Sequence, residues 1–531
     1  MASLSYQKNP RREKKWSGIL LLGGILVCAL ALRLLRASSD SLWYDELYFI
    51  WASKHSLGPM INEVLASGHP LGYFLVEHFW VKLGSGEVWD RLVSLTAGMV
   101  TVGLVYLTGK ELFSRRAGLL AAALAAVSPF LIWYSADATD YSFLIAASMA
   151  SFLFLIRSIN RGGWTNWGLY VLFTYLALFF HYYAVFLLLA EPPVYFLLRR
   201  RGLRPWLLSQ GILVLLLIPW TLLNQGASSW VYLTFPDLRS LIGSVGKTWL
   251  VLLEGYRQES EGGAAVMELS NLKVVLYPLI YLAFLGLFLL ALRRKTVINR
   301  KHLALVVFSV VLVLGPATVQ VVNSDYVGGR FVAMAAAPLL LLLAGVLATQ
   351  SRRIVMLAGL SAIAGLLGFT ILQQTHSFHH DWRGIMATIR ANAGQDDQIL
   401  CFPLYHCVVA EDFYLHNQIP LRGGILANKQ TYIYRKDNMW NGYAGSSMPP
   451  DLMNDQELAS WLSRDLSGVD RVWLIGGVGS LGYYPSTAGI ERNLPPGRRL
   501  KKDWRFDPLE VRLYERCGGS EAPDCPAVGG A

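Results

Sequence analysis

Residues 11–50 read RREKKWSGILLLGGILVCALALRLLRASSDSLWYDELYFI. A basic start leads into an apolar run over about residues 17–35, close to the ~20 residues that cross a ~30 Å hydrocarbon core. That run exceeds the roughly 7–15 residues of a signal-peptide core, so it reads as an uncleaved first membrane span. Two adjacent carboxylates, Asp45 and Glu46, follow among Trp43, Tyr44, Tyr48 and Phe49, just where the backbone leaves the lipid.

The same texture continues along the chain. Of 531 residues, 54% are hydrophobic and only 16% charged, too apolar for a soluble protein of this size. The net charge of +11 could suggest a nucleic-acid partner. Many of the Lys and Arg residues instead punctuate the apolar blocks, which fits membrane orientation and argues against nucleic acid. About eleven spans are expected, near 17–35, 91–109, 117–134, 139–157, 165–180, 183–199, 206–223, 272–292, 303–322, 331–349 and 354–373.

Short basic connectors, among them GKELFSRR (109–116), RSINRGG (157–163), RRRGLR (199–204) and SRR (351–353), alternate with longer acidic or aromatic ones. By the positive-inside rule the N-terminus is cytoplasmic in a cell (inner or plasma) membrane. The loop 38–88, the tips near 134–138, 181–182 and 323–330, and everything beyond about 374 then lie outside. The expected division is a transmembrane domain over 1–375 and an extracytoplasmic α/β domain over 376–531. In the second, DQILCF (397–402), RVWLIGG (471–477) and VRLYER (511–516) read as strands between helical patterns. The fold class is thus a polytopic α-helical membrane protein with a C-terminal α/β domain. Cys401, Cys407, Cys517 and Cys525 fall in the outer domain, where disulfides are permitted but their pairing is not readable.

The outer loop is more than a linker. LGPMINEVLA (57–66) puts Leu57, Met60, Ile61, Val64 and Leu65 on one helical face, as an interfacial helix requires. Pro70 suits the first turn of a second helix. Four polar clusters share this side: Asp45-Glu46; Gly68-His69-Pro70; WYSADATDYS (133–142) with Asp137, Asp140 and Tyr141; and NSDYVGGRF (323–331) with Asp325, Tyr326 and Arg330. His181-Tyr182-Tyr183 opens a further turn. Singly, such groups are ordinary: an Asp caps a helix, Tyr and Trp line the interface, an Arg snorkels. Their convergence on one face from separate loops points instead to chemistry between lipid and water. Two close carboxylates with a His would also suit a divalent metal, which is left open.

The order LWYDE (42–46), GHPLGYF (68–74), SPFLIWYSADATDYS (128–142), HYY (181–183) and GGRFVAMAAAP (328–338) resembles the GT-C glycosyltransferases. The nearest branch is glycosyltransferase family 39, with the protein O-mannosyltransferases and aminoarabinose-transferase-like proteins. Relatives carry Glu-Ala-Arg-x-Tyr where this chain has Asp137-Ala138-Thr139-Asp140-Tyr141, so the Arg is absent. The resemblance implies a cell-envelope hexosyl- or pentosyltransferase with a polyprenyl-phosphate sugar as donor and a lipid, glycan or protein as acceptor, acting with inversion. It implies Asp45 as base, Asp137 as second acid beside Glu46, Arg330 and His69 on the donor phosphate, and Tyr141, His181, Tyr182 and Tyr326 around the substrates. Glu46 should matter less than Asp45, because neighbours on a helix project about 100° apart. The competing class is a lipid-linked-sugar flippase or other transporter, whose charged groups would sit near the bilayer midplane.

Overall fold

The computed structural model describes residues 10–199, 202–223, 299–323, 329–374, 380–402, 404–427, 430–433, 452–453, 455–478 and 486–517. The expected span at 272–292 and the site residue Tyr326 lie outside them.

Helix α1 (Pro10–Ser39) is followed by three short helices, α2 (Tyr44–Lys54), α3 (Leu57–Ala66) and α4 (Leu71–Trp80). Then come α5 (Glu87–Leu112), α6 (Arg115–Val127), α7 (Pro129–Ser135), α8 (Tyr141–Arg161), α9 (Trp164–Phe180), α10 (Val185–Leu198) and α11 (Arg204–Leu223). The bundle closes with α12 (Arg300–Asn323), α13 (Ala333–Leu347) and α14 (Arg352–Gln374). Among the described residues three helices are long and apolar enough by themselves to cross a membrane: Gly18–Ser39, Glu87–Leu112 and Tyr141–Arg161. Shorter apolar helices complete a common core that runs through α5, α6, α8, α10, α12 and α13.

The span expected at 117–134 is not one straight helix. It bends by 63° between α6 and α7. Pro129 has no N–H to continue the ladder, and Ser128 accepts a hydrogen bond from the amide of Leu131, starting a new helix. The break leaves carbonyls at the end of α6 without helical partners. Arg33, fully buried in α1, supplies the donors: its guanidinium bonds Ala126 O (3.2 Å), Ala125 O (3.3 Å) and, at Nε, Ser135 Oγ (3.2 Å). The crossing is tight, since a Cβ on Gly98 of α5 would overlap the Ser135 hydroxyl.

Beyond α14 a seven-stranded sheet has the order β4-β3-β2-β1-β5-β7-β6. Its strands are β1 (Gln398–Cys401), β2 (Leu421–Ala427), β3 (Gln430–Ile433), β4 (Leu452–Met453), β5 (Arg471–Gly477), β6 (Arg498–Phe506) and β7 (Leu509–Arg516). Strand β1 runs parallel to β2 and β5; the other pairings are antiparallel. Side chains alternate across the central strands as the period of two demands. Ile399, Cys401, Trp473 and Ile475 enter one core with α15 (Trp382–Asn392) and α16 (Leu404–Tyr414). Leu400, Phe402, Val472 and Leu474 enter a second core with α17 (Asp455–Asp465) and α18 (Thr487–Glu491). A disulfide joins Cys401 to Cys407.

Candidate active site

Helix α2 sets the site because each of its faces is committed differently. Leu47 and Ile50 are buried in the first core of the α/β domain, together with Leu42 and Ala138. Tyr48, Phe49 and Ala52 pack against Met60 and Val64 of α3 and Tyr73 and Phe74 of α4. Burying each large apolar side chain contributes about 1.5–3 kcal/mol, so the helix is held on two sides.

Glu46 anchors a third side. Its carboxylate receives Arg91 Nε at Oε1 and Arg91 Nη2 at Oε2, each at 2.7 Å. It also accepts from the amides of Ala138 (2.8 Å) and Trp43 (3.2 Å). The remaining Arg91 donors bond Ala37 O and Asp40 O at 2.8 Å and Ser41 O at 3.1 Å. Arg91 therefore ties the exit of α1 to the first turn of α2, with both charges out of water. Both oxygens of Glu46 are thus engaged in a buried clamp directly beside Asp45.

That neighbour, Asp45, is left on the open side. Its Oδ2 pairs with Arg330 Nη1 at 2.7 Å, and the two side chains keep 29% and 35% of their surface, enough for a ligand to reach them. The short helical turn Gly329–Val332 presents Arg330 at the head of α13. Partial enclosure pushes the Asp45 carboxyl up, and the Arg330 guanidinium pulls it back.

Around this pair stand the other loop residues. The ring of Tyr141 is 5.3 Å from that of His181, and His69 packs 5.5 Å from Tyr48. Burial holds both imidazoles neutral, His69 with a pKa of about 4 and His181 of about 3. The Ser67 hydroxyl lies 3.0 Å from His69 Nδ1, 3.0 Å from Val64 O and 2.8 Å from the Tyr48 hydroxyl. His181 Nδ1 accepts from the amide of Tyr183 (3.1 Å), which leaves Nε2–H as a donor. Tyr182 opens the short turn that His181 caps.

The two acids of the 133–142 segment part company. Asp137 is 2% exposed, and one of its oxygens has no hydrogen-bond partner among the described residues. Burial first, then the Glu46 carboxylate, raises its pKa well above the usual carboxylate range, against the pull of Arg91 and Arg36. It belongs electrostatically to the Glu46 clamp. Asp140, also buried, is raised to about 8, chiefly by burial, with Asp45 adding to the shift and Arg330 opposing it. It belongs to the Asp45 side. As pH rises through about 8, Asp140 loses its proton and adds a negative charge near Arg330. Affinity for an anionic ligand of constant charge at Arg330 is expected to fall severalfold over that range. Titrating binding in wild type and Asp140→Asn checks it; the fall should vanish in the variant.

Sequence reasoning missed Arg91 and undervalued Asp140. Arg91 opens a span directly after the loop expected to be extracytoplasmic, opposite the side the positive-inside rule favours, and that placement was the available signal. Among the described residues no group of three or more His, Cys, Asp or Glu side chains is arranged to hold a metal ion.

The apolar helical bundle, the short loop helices carrying Asp45 and the α/β domain packed on them define a multi-pass membrane protein of the GT-C glycosyltransferase fold. Residues 68–223 match the family model described as dolichyl-phosphate-mannose-protein mannosyltransferase. The fold is shared with ArnT from Cupriavidus metallidurans in the apo state: TM-score 0.61, 12% identity, covering 94% of this chain and 98% of that one. The same protein bound to undecaprenyl phosphate matches with TM-score 0.58 and 11% identity, over 94% and 98% of the two chains. The Archaeoglobus fulgidus oligosaccharyltransferase tethered to an acceptor peptide with the NVT sequon matches with TM-score 0.52 and 12% identity, over 88% and 69%. No curated protein matches by sequence.

Proposed function

We propose that this protein transfers a hexose or pentose from a polyprenyl-phosphate donor to an acceptor at the extracytoplasmic face of the cell membrane, with inversion. The observation that carries the reading is the Asp45–Arg330 pair: a base and a phosphate-matched cation, 2.7 Å apart, in a partly open cleft. The family match and a structural neighbour bound to undecaprenyl phosphate support the lipid donor. The charge alternation of the sequence supports the orientation, with the N-terminus cytoplasmic and the α/β domain outside.

In this reading the acceptor oxygen bonds to the anomeric carbon as the bond from that carbon to the phosphate oxygen breaks. The acceptor proton passes to Asp45, and the electron pair leaves with the polyprenyl phosphate. Arg330 offers a planar fork to the phosphate oxygens and offsets the charge that develops there. The phosphate competes with Asp45 for Arg330. Once it has drawn the guanidinium away, burial and the neighbouring Glu46 carboxylate both push the Asp45 carboxyl up, and Asp45 becomes the stronger base when donor is present. His181, with Nε2–H free to donate, suits a phosphate or sugar oxygen. His69, close enough to Arg330 to feel its charge, is the second group toward the donor phosphate. Tyr141 and Tyr182 serve the substrates, and Asp137, buried beside the Glu46 clamp, is the second acid.

Native mass spectrometry of protein extracted with its membrane lipids tests the donor class. A bound polyprenyl-phosphate sugar is the expected adduct, depleted in Arg330→Ala. Ordinary phospholipids alone, in both proteins, would count against the reading.

A further inference from the structure

The helix that carries Asp45 borrows part of its packing from the α/β domain, and one contact falls on the residue next to the proposed base. Tyr44 stacks on His406 of α16 with ring centroids 4.2 Å apart and planes 15° apart. Tyr405 closes edge-on against both rings, 5.2 Å from Tyr44 and 4.4 Å from His406. His406 is 3% exposed and kept neutral by burial. At the far end of α2, Lys54 pairs with Asp412 of the same helix α16 at 3.0 Å. Tyr414 donates to Glu87 at 2.6 Å and accepts from the amide of Leu42 at 3.2 Å. Helix α16 thus grips both ends of α2 and the segment leading into it. The Cys401–Cys407 disulfide fixes α16 in turn, tying the residue after His406 to the end of the buried strand β1.

We propose that His406 is a positioning residue for the transfer reaction, seating Asp45 through the Tyr44 stack, and that the Cys401–Cys407 disulfide holds His406 in place for that task. The proposal rests on the function proposed above only for its kinetic part; the seating of α2 is a physical claim of its own. Misplacement of a reacting group by about 1 Å can cost up to ~100-fold in rate, so a loosened α2 lowers turnover more than donor binding.

Hydrogen exchange on the full-length protein in nanodiscs tests the seating without any substrate. Peptides covering residues 44–54 are expected to exchange faster in His406→Ala and in Cys401→Ser/Cys407→Ser, with peptides from α8 unchanged. His406→Phe, which keeps a stacking ring, should restore wild-type protection. Reducing the folded wild type with a dithiol gives the same readout without any mutation. Two electrons and two protons pass to the protein sulfurs, leaving two thiols and a cyclic disulfide of the reagent. Because Cys517 is also disulfide-bonded, the double Ser variant assigns the effect to this pair. With a polyprenyl-phosphate sugar as donor, kcat should fall about tenfold in His406→Ala with KM for the donor changed less than twofold. Unchanged exchange over 44–54 in His406→Ala and in the double Ser variant would overturn the proposal. So would loss of protection throughout the bundle, or equal losses in His406→Phe and His406→Ala. Absence of transfer by the wild type would instead overturn the proposed function, and the exchange result would still decide the seating.

Discussion

Asp45→Asn is expected to lower transfer by about 10²–10⁴-fold, the range associated with losing a positioned general base. The variant should insert and fold as the wild type does, because Asp45 occupies the open side of α2 while Leu47, Ile50 and Glu46 hold the helix. It should also bind donor phosphate more tightly. In the wild type the phosphate must compete with Asp45 for Arg330, and the amide removes that competitor. A single-turnover assay with separately measured donor affinity checks both. Transfer lost with affinity raised is the expected pattern; wild-type turnover would remove Asp45 from the mechanism.

The largest expected effect on stability is at Arg91. Replacing it by Met leaves Glu46 buried and ionisable with no counter-charge, a loss of about 3–5 kcal/mol for breaking a buried pair from one side. Three carbonyls at the exit of α1, those of Ala37, Asp40 and Ser41, lose their donor as well. Adding Glu46→Gln to Arg91→Met should recover part of the loss, since the uncompensated charge is then gone. Thermal unfolding in detergent of the two single variants and the double variant measures this. A double variant less stable than the sum of the singles would contradict the pairing.

The apolar runs made the helical bundle readable, and their spacing needs no tertiary information. The two faces of the α/β sheet were half visible, because β1 and β5 are short apolar runs whose alternation appears only once both cores are known. The first-loop acid pair stood out in the sequence as a candidate, and the helical period already set Asp45 and Glu46 apart. Asp45 rather than Glu46 was expected at the cleft only through the family resemblance; the physical reason, the Arg91 clamp on Glu46, lies 45 residues away and was not readable. The bend at Ser128 was smoothed over although a Ser-Pro pair marked it. Hydropathy sees the run and not the missing N–H. The partition of Asp137 from Asp140 follows from how one short turn packs against Glu46, which no local pattern encodes. The Cys401–Cys407 pairing was equally hidden, since several cysteines share the domain.

The central claim is that the Asp45–Arg330 cleft moves a sugar off a polyprenyl phosphate. Its most direct measurement is the appearance of free polyprenyl phosphate, followed by mass spectrometry, when purified protein in nanodiscs receives sugar-loaded polyprenyl phosphate and a membrane-extract acceptor pool. Release of the lipid phosphate with matching gain of sugar on an acceptor, abolished in Asp45→Asn, is the predicted result. Lipid-linked sugar that is bound or moved across the bilayer but stays intact, equally in both proteins, would contradict the account.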